Sequence, residues 1–546
     1  MTARRWLPPV VVAALAFATS ITSLHHEFTY DDRYVILLND RVHTLHHWWT
    51  LFAQTYWPPA FGGDGYRPVV MTLFSLQWAA GHGSPLAFHA MNIALAVGAA
   101  LAAYYCMLAV LPAAAAGIGA ALFAVQPVHV EVTGNVVGQS ELVVAICLCL
   151  AMGLYLRARR RAVALRGGPL AAIATLFALG VLSKEHAVIL PALMVAAELT
   201  VLDDGTSWRA RVRGLRPLAL ALVAVLLAFA LMRSRVQREL TGFEPMPVFR
   251  FLHMTAADRI LTMMTELPRI ARLLVFPTHL SGDYSPMDVT VAHGFDVAQL
   301  PGMAIAAGLL LLVPLLRVRA RVAAFGLLWL LIAFLPVSNL LVPAGFVTAE
   351  RTLFTPSVGV VIMVASLAAH VLATRGARTR AALLGTVAVL LLLGTARSVS
   401  RQKAWKSNDA FVTQLIEDAP NGYRAHFLRA RQMWEHGNLH EMEREYHRAV
   451  RIFPYDAGVT LAVADAYTRA GICKPAVDLF EWSFSVDPKA ANGRYEYVYC
   501  LARVGRWDAV RREALASFAV VPPADIRLLH QAIVKADSAL ADRSRQ

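Results

Sequence analysis

Over roughly the first 400 residues the chain alternates long apolar runs with short polar stretches. The runs lie near residues 7–24, 86–110, 113–127, 141–157, 169–183, 186–202, 215–232, 300–316, 323–341, 352–373 and 380–396. A bilayer core about 30 Å thick takes roughly 20 apolar residues per helix. The pattern therefore predicts eleven membrane-spanning helices. The first run is preceded by Arg4 and Arg5, so it reads either as a span or as a signal peptide. In both cases the segment that follows, "HHEFTYDDRYVI", emerges outside the cytoplasm.

Beyond "GTARSVSRQKAW" the apolar runs stop and another rhythm begins. Pro420, Pro454, Pro488 and Pro522 recur every 34 residues, and Gly437, Gly471 and Gly505 keep the same interval. A 34-residue period with Gly between two helices and Pro closing the unit predicts tetratricopeptide repeats. Phe427, Trp434, Tyr467, Tyr495 and Tyr499 read as packing between these helices. The expected architecture is all-α, with a polytopic membrane helical bundle over 1–400 and a C-terminal tetratricopeptide-repeat α-solenoid over 401–546. Such solenoids present a concave face to a protein or peptide.

Composition agrees with membrane insertion. Of 546 residues, 57 % are hydrophobic and 16 % charged, whereas soluble domains are about 45–50 % apolar. The formal charge of +14 raises a nucleic-acid reading, and the placement of the basic residues removes it. "TARRW", "RARRRAVALR", "WRARVRGLR", "RVRAR" and "RGARTR" all fall on one side of an eleven-span arrangement. By the positive-inside rule that side is cytoplasmic. The basicity is thus a topology signal, the partner is the lipid bilayer, and the repeats are expected on the extracytoplasmic side. Cys106, Cys147 and Cys149 lie in apolar runs, while Cys473 and Cys500 are free to pair if the tail meets an oxidising compartment.

Five polar clusters share the extracytoplasmic side. Asp31 and Asp32 follow the first run. "AVQPVHVEVTGNVVGQSELVV" carries His129, Glu131, Asn135, Gln139 and Glu141. Charges so placed mark functional cavities when buried, and Glu141 taken alone reads equally as a solvated loop residue. His129 and Glu131, in an extended segment, would face the same way. "VLSKEHAVIL" puts Lys184, Glu185 and His186 in a short turn, where Lys184 either pairs with Glu185 or binds a lipid phosphate. "RLLVFPTHLSGDYSPMDV" carries His279, Asp283 and Tyr284 after an apolar lead-in that reads as an interfacial or re-entrant helix. Glu350 and Arg351 stand at the entry to the tenth run, where Arg offers a fork for phosphate.

Carboxylates beside cations on an outer membrane surface suit transfer of a sugar from a lipid phosphate to a hydroxyl. The leaving phosphate needs its charge stabilised by Lys, Arg or a divalent cation, and the attacking hydroxyl needs a carboxylate base. Asp31 or Asp32 fits the base, Lys184 and Arg351 fit the phosphate, and His129 with Glu131 fits steering of the acceptor or of a metal. A non-catalytic membrane-anchored repeat scaffold for envelope complexes is the alternative, and it makes the outer carboxylates dispensable.

"YDDRYVI", "YRPVVMTLF" from Tyr66, "FHAMNIAL", "QPVHVEVTGNVVGQSEL", "LSKEHAVIL", "LLVFPTHLSGDYS" and "AERTLFTPSVG" occur in the order seen in one family. The chain resembles the transmembrane and tetratricopeptide-repeat O-mannosyltransferases, a branch of the GT-C glycosyltransferases. The resemblance implies a GT-C type bundle, a polyprenyl- or dolichyl-phosphate sugar donor, inversion at the anomeric carbon, and a protein or other envelope acceptor. It also implies Asp31 as base and Asp32 as its acceptor-orienting or metal-binding partner. His129, Glu131 and Glu141 become acceptor- or metal-orienting residues and Lys184 and Arg351 the donor-phosphate residues, with Tyr66, Arg67, Glu185, Asp283 and Glu350 in support. A divalent cation, Mg or Mn, is left open. The expected setting is a multi-pass membrane protein, of the inner membrane in a bacterium or of the endoplasmic reticulum in a eukaryote. The chain departs from the family pattern at Gln126, where His is usual, and at Gln139 with Ser140, where Arg and a small residue are common.

Overall fold

The computed structural model describes residues 3–61, 63–161, 163, 165–202, 205–237, 255–275, 277–285, 287–341, 344, 346–486, 490, 492–521 and 523–545. Among these the chain is helical, with one isolated antiparallel bridge between Tyr284 and Thr348. It divides into two units. The first comprises Met1–Glu244, Asp258–Tyr284 and Gly294–Asp418, and the second includes Ser285–His293 and Ala419–Gln546.

In the first unit every one of the eleven apolar runs is a helix. Seven are long and apolar enough to cross a membrane: Trp6–His25, Pro85–Met107, Val136–Arg160, Trp208–Gln237, Val297–Arg319, Glu350–Thr374 and Ala377–Trp405. An eighth crossing is made if Ala113–Ala124 and Pro127–Gly134 count together, although the pair is bent by 53°. Pro127 explains the bend, since it lacks an N–H and cannot continue the preceding helix. The remaining runs form shorter helices, Gly167–Val181, Leu190–Leu199 and Arg321–Phe334. The lead-in to "THLSGDYS" belongs to the helix Ala256–Val275, which buries Met263, Ile270, Leu273 and Leu274. It also carries Asp258, Arg259, Glu266, Arg269 and Arg272, too many charges for a span.

Small residues let the spans approach closely. Ala96, Ala99, Ala100 and Ala103 are buried on one helix, against Ala116 and Ala120 of the next. A Cβ added at Gly326 would lie 2.7 Å from the Gly359 carbonyl oxygen, so these two helices touch backbone to backbone. The first outer loop is a chain of short turns, Arg33–Leu37, Asp40–Val42 and Trp48–Ala53. It is seated by its own core of Phe28, Val35, Ile36, Val42, Leu51 and Tyr56, packed on Val70, Met71, Phe74, Phe88, Val136 and Val137.

The second unit holds three helical hairpins. They are Tyr423–Glu435 with Leu439–Ile452, Ala457–Arg469 with Cys473–Val486, and Arg494–Arg503 with Trp507–Ser517, followed by Pro523–Arg545. Gly437, Gly471 and Gly505 turn each hairpin at φ of 73°, 77° and 78°, a region costly for any residue with a Cβ. The helix–Gly–helix unit thus repeats at the interval read from the sequence. Of the four prolines in that interval, Pro488 and Pro522 lie outside the described residues. A disulfide joins Cys473 of the second hairpin to Cys500 of the third.

Candidate active site

The two neighbouring aspartates are separated by a backbone turn. Tyr30 has φ 55°, the left-handed region that non-glycine residues enter at a cost, and the chain coils directly after it. Asp32 points inward and has no exposed surface. Its carboxylate accepts the backbone N–H groups of Val137 at 2.8 Å, Val136 at 3.1 Å and Thr29 at 3.3 Å. Burial pushes its carboxyl up to about 7, against the pull of those three donors. Asp32 therefore clasps the turn that starts the helix Gln139–Arg160 to the first outer loop. This enclosed position differs from the acceptor-orienting or metal-binding one expected of it, because no face of the carboxylate is open. Asp31 stays partly exposed and lies within electrostatic reach of Arg351 and Tyr56.

Three ion pairs from distant segments stand around it. Glu131 accepts from Arg351 Nη1 at 2.5 Å and from the Arg351 backbone N–H at 2.8 Å. Glu141 meets Lys184 Nζ at 2.5 Å and His186 Nε2 at 3.3 Å. Glu185 lies 3.5 Å from Arg67 Nε and accepts the Tyr66 N–H at 3.4 Å. Lys184 thus pairs with Glu141 and not with its neighbour Glu185. Its backbone is extended, with φ −162° and ψ 141°, so Lys184 and Glu185 project to opposite sides. The buried, paired Glu141 is not a solvated loop residue either.

His129 and Glu131 also part company, since the expected extended segment is a helical turn, Pro127–His129, running into Val130–Gly134. Two residues apart on a helix lie about 200° around its axis. His129 accordingly meets Ser357 Oγ at 2.8 Å between the rings of Phe123 and Phe354, away from Glu131 and Arg351. Glu350 accepts from the Ser281 N–H at 2.6 Å and from the Tyr284 hydroxyl at 2.7 Å, tying the "SGDYS" loop to the same rim. Asp283 contributes its backbone carbonyl to the Ser281 hydroxyl at 2.8 Å.

Two of the pairs share an asymmetry. The side chains of Arg351 and Lys184 keep 26 % and 14 % of their surface, while Glu131 and Glu141 keep only 2 % and 3 %. Enclosed carboxylates there hold cations that remain partly open, whereas Arg67 and Glu185 are both partly exposed, at 20 % and 15 %. Burial depresses the Lys184 ammonium, opposed by Glu141. Burial also works against the Glu185 charge, but the Arg67 guanidinium prevails and holds that carboxyl down to about 2. Burial raises the Tyr56 hydroxyl, whose ring lies 4.5 Å under the Arg67 guanidinium. Among the described residues, no three His, Cys, Asp or Glu side chains converge as a metal-binding group.

Sequence reasoning passed over two participants and left a third, His186, without a role. His186 is the second partner of Glu141. Tyr56 lies against Arg67, and Arg233 acts electrostatically on Glu185 from the helix Trp208–Gln237. The signal for Arg233 was a basic "MRSR" closing an apolar run, indistinguishable in sequence from an interfacial anchor.

No family model matches the chain. Among curated proteins it is 24 % identical over 519 residues to a human protein, TMTC3, covering 89 % of this chain and 55 % of that one. It is 24 % identical over 467 residues to a Caenorhabditis elegans protein, F38B6.6, covering 82 % and 62 %. A Drosophila melanogaster protein, Tmtc2, is 31 % identical over 284 residues, covering 50 % and 30 %. All three bear the name protein O-mannosyl-transferase. The chain spans about half the length of the curated relatives it matches. A solved structure of an Archaeoglobus fulgidus oligosaccharyltransferase with a tethered acceptor peptide aligns with TM-score 0.42 and 14 % identity, over 73 % of this chain and 55 % of that one, too distant a likeness to carry weight.

Proposed function

We propose that this chain, a relative of the protein O-mannosyl-transferases, is a membrane glycosyltransferase of GT-C type. It moves a hexose, mannose in the first instance, from a polyprenyl-phosphate donor to a protein hydroxyl on the extracytoplasmic side. The observation that carries this reading is the gathering of Asp31, Arg351, Lys184 and Arg67 from separate segments into one rim, where each cation is paired with a carboxylate and keeps part of its surface open, and where the partners of Arg351 and Lys184 are enclosed.

The chemistry follows from that arrangement. The acceptor hydroxyl oxygen attacks the anomeric carbon from the side opposite the phosphate, so configuration inverts. Its proton passes to Asp31, the bond from the anomeric carbon to the phosphate oxygen breaks, and the polyprenyl phosphate leaves. Arg351, Lys184 and Arg67 stabilise the charge gathering on that phosphate. An inverting displacement needs base and leaving-group cation on opposite faces of the sugar, and Asp31 and Arg351 on one rim would flank a sugar bound between them. Glu131 and Glu141 hold the cations in place, and Tyr66, Glu185, Asp283 and Glu350 secure the loops that bear them. The helical hairpins of the second unit supply the peptide-binding element as tetratricopeptide repeats, and the Cys473–Cys500 disulfide favours an oxidising, extracytoplasmic setting for them.

The test uses the full chain purified in detergent with polyprenyl-phosphate mannose and an envelope-protein extract, with Mg or Mn added or chelated in separate arms. Sugar transferred to protein, with stoichiometric release of polyprenyl phosphate, is the expected result. No transfer in any arm with any polyprenyl-phosphate hexose overturns the reading in favour of the scaffold.

A further inference from the structure

The strained residue before Asp31 is held from outside its own loop. Tyr30 donates its backbone N–H to Asn408 Oδ1 at 3.4 Å, and its ring stacks on Phe411 at 4.8 Å between centroids, 30° from parallel. On either side the same two segments are stitched together. The Glu27 N–H donates to the Lys406 carbonyl at 2.9 Å, and the Thr29 hydroxyl to the Trp405 carbonyl at 3.3 Å. Phe411 is itself only 2 % exposed, with Trp405 packed against it at 4.7 Å. Its remaining side is closed by Gly282, where any side chain would collide with the Phe411 ring. The glycine of the "SGDYS" stretch is thereby accounted for as a flat seat for this ring.

A left-handed tyrosine persists only where its surroundings over-determine it, and such outliers gather where strain serves a site. Here the surroundings are the helix Asn408–Asp418 and the turn Lys403–Trp405 before it, all within the first unit. We propose that Phe411 is a positioning residue for the Asp31 loop: by stacking on Tyr30 and resting on Gly282 it holds the left-handed turn that sends Asp32 inward and leaves Asp31 at the rim. The Asp31 loop and the "SGDYS" loop, which is tied to Glu350, are then registered to each other through one aromatic ring. Phe411 touches neither donor nor acceptor, and acts through Tyr30. This assignment rests on the reading of Asp31 as the base.

Two measurements on the full chain in detergent separate the two ideas. Amide hydrogen exchange of residues 27–33 reports the turn without reference to catalysis, and transfer kinetics report the base. In Phe411→Ala, exchange across 27–33 is expected to speed up while the spans keep their protection. The kcat should fall by about 10- to 100-fold, as for a reacting group displaced by a fraction of an ångström to an ångström, with donor KM within about twofold because the phosphate cations are untouched. Phe411→Leu, which keeps an apolar contact with Tyr30 without reaching further towards Gly282, restores part of both. Tyr30→Ala removes the same contact from the other side; because the Tyr30 side chain also acts on Arg351, its exchange expectation alone carries over if Phe411→Ala does not fold. Unchanged exchange at 27–33 in the folded alanine variants overturns the positioning role, as does a loss of activity expressed wholly in donor KM. If exchange responds as expected but the wild type transfers no sugar, the latch stands and the proposed function falls.

Discussion

Two of the carboxylate–cation clusters among the described residues of the first unit are built differently. At the end marked by the basic stretches, Glu198 is 2 % exposed and accepts from Arg159 Nε at 2.6 Å, Arg159 Nη2 at 3.1 Å, the Tyr155 hydroxyl at 2.7 Å and Arg211 Nη1 at 3.2 Å. Arg211 also donates to the Glu198 backbone carbonyl at 2.7 Å and keeps only 4 % of its side-chain surface. Arg159 keeps 24 %, so the difference lies in how the carboxylate is used: Glu198 takes up both arginines and the tyrosine, and pins three helices. At the rim around Asp31, Glu131, Glu141 and Glu185 each hold one principal cation, and those cations keep between 14 % and 26 % of their surface. Arg67 Nε is buried without a hydrogen-bond partner. A buried ion pair is thus no mark of a site by itself. What distinguishes the rim is donor capacity left over after the pair has formed.

The largest effect should come from the rim's partly exposed carboxylate. Asp31→Asn is expected to lower kcat by about 10²- to 10⁴-fold, the usual worth of a general base, with the detergent melting curve unmoved. Retention of full transfer in a membrane-inserted Asp31→Asn protein would remove Asp31 from the chemistry. The Glu198 cluster predicts the opposite split. Glu198→Leu leaves Arg211 buried without its counter-charge and Arg159 unpaired, and breaking one side of such a buried network costs about 3–5 kcal/mol. Its melting midpoint should drop steeply while turnover per folded molecule stays at the wild-type level. A Glu198→Leu protein that melts normally would show that solvent reaches those arginines, and the contrast between the clusters would vanish.

A smaller effect sharpens the account of the rim. Arg351→Lys keeps the charge facing Glu131 but loses the planar fork. One charge-assisted hydrogen bond is worth about 1.5–3 kcal/mol, so donor KM should rise by about 10- to 150-fold, with kcat changed less. A rise in acceptor KM at constant donor KM would instead place the acceptor, not the phosphate, against Arg351.

Helix positions were legible in the sequence because a membrane demands long apolar runs, and the hairpin turns because only glycine sits comfortably at φ near 75°. Which runs form full-length crossings was less so, since Pro127 bends one and three others are short. For the site, the sequence brought out most of the charged residues that the structure gathers around Asp31, Arg351 and Lys184 among them. Partner choice could not be read there, because it depends on local backbone direction. The extended conformation at Lys184 sends it to Glu141 and its neighbour to Arg67, while the helical turn at His129 takes that ring to Ser357. The departures at Gln126 and Gln139 show the same limit. Gln139 makes a reciprocal amide pair with Gln77 at 2.8 Å in both directions, and Gln126 donates to the Leu274 carbonyl at 2.6 Å. The first ties two helices together, and the second ties the break before Pro127 to the helix Ala256–Val275. Nothing in "YDDRY" announces that Tyr30 is left-handed, yet that one dihedral separates the roles of the two aspartates.

That separation gives the last and mildest test, a pH dependence rather than a loss. The Asp32 carboxyl sits at about 7 in the folded chain against an unperturbed 3.8, with burial as the leading cause. An acid raised in this way binds its proton more tightly folded than unfolded. Its contribution to stability is therefore fully present below 3.8 and is lost as the pH rises through about 7. Wild-type protein should accordingly lose part of its thermal stability across that window. In Asp32→Asn the side chain stays neutral at every pH, its carbonyl still accepts from Val137 or Val136, and the slope due to this position should disappear. The variant should keep its kcat to within a few-fold, since a residue enclosed behind Val136 and Val137 meets neither donor nor acceptor. Equal slopes in the two proteins would mean that the three backbone N–H groups outweigh burial and keep Asp32 charged throughout. A kcat lost at unchanged stability would return Asp32 to the reacting centre beside Asp31 and erase the inward–outward division on which the site rests.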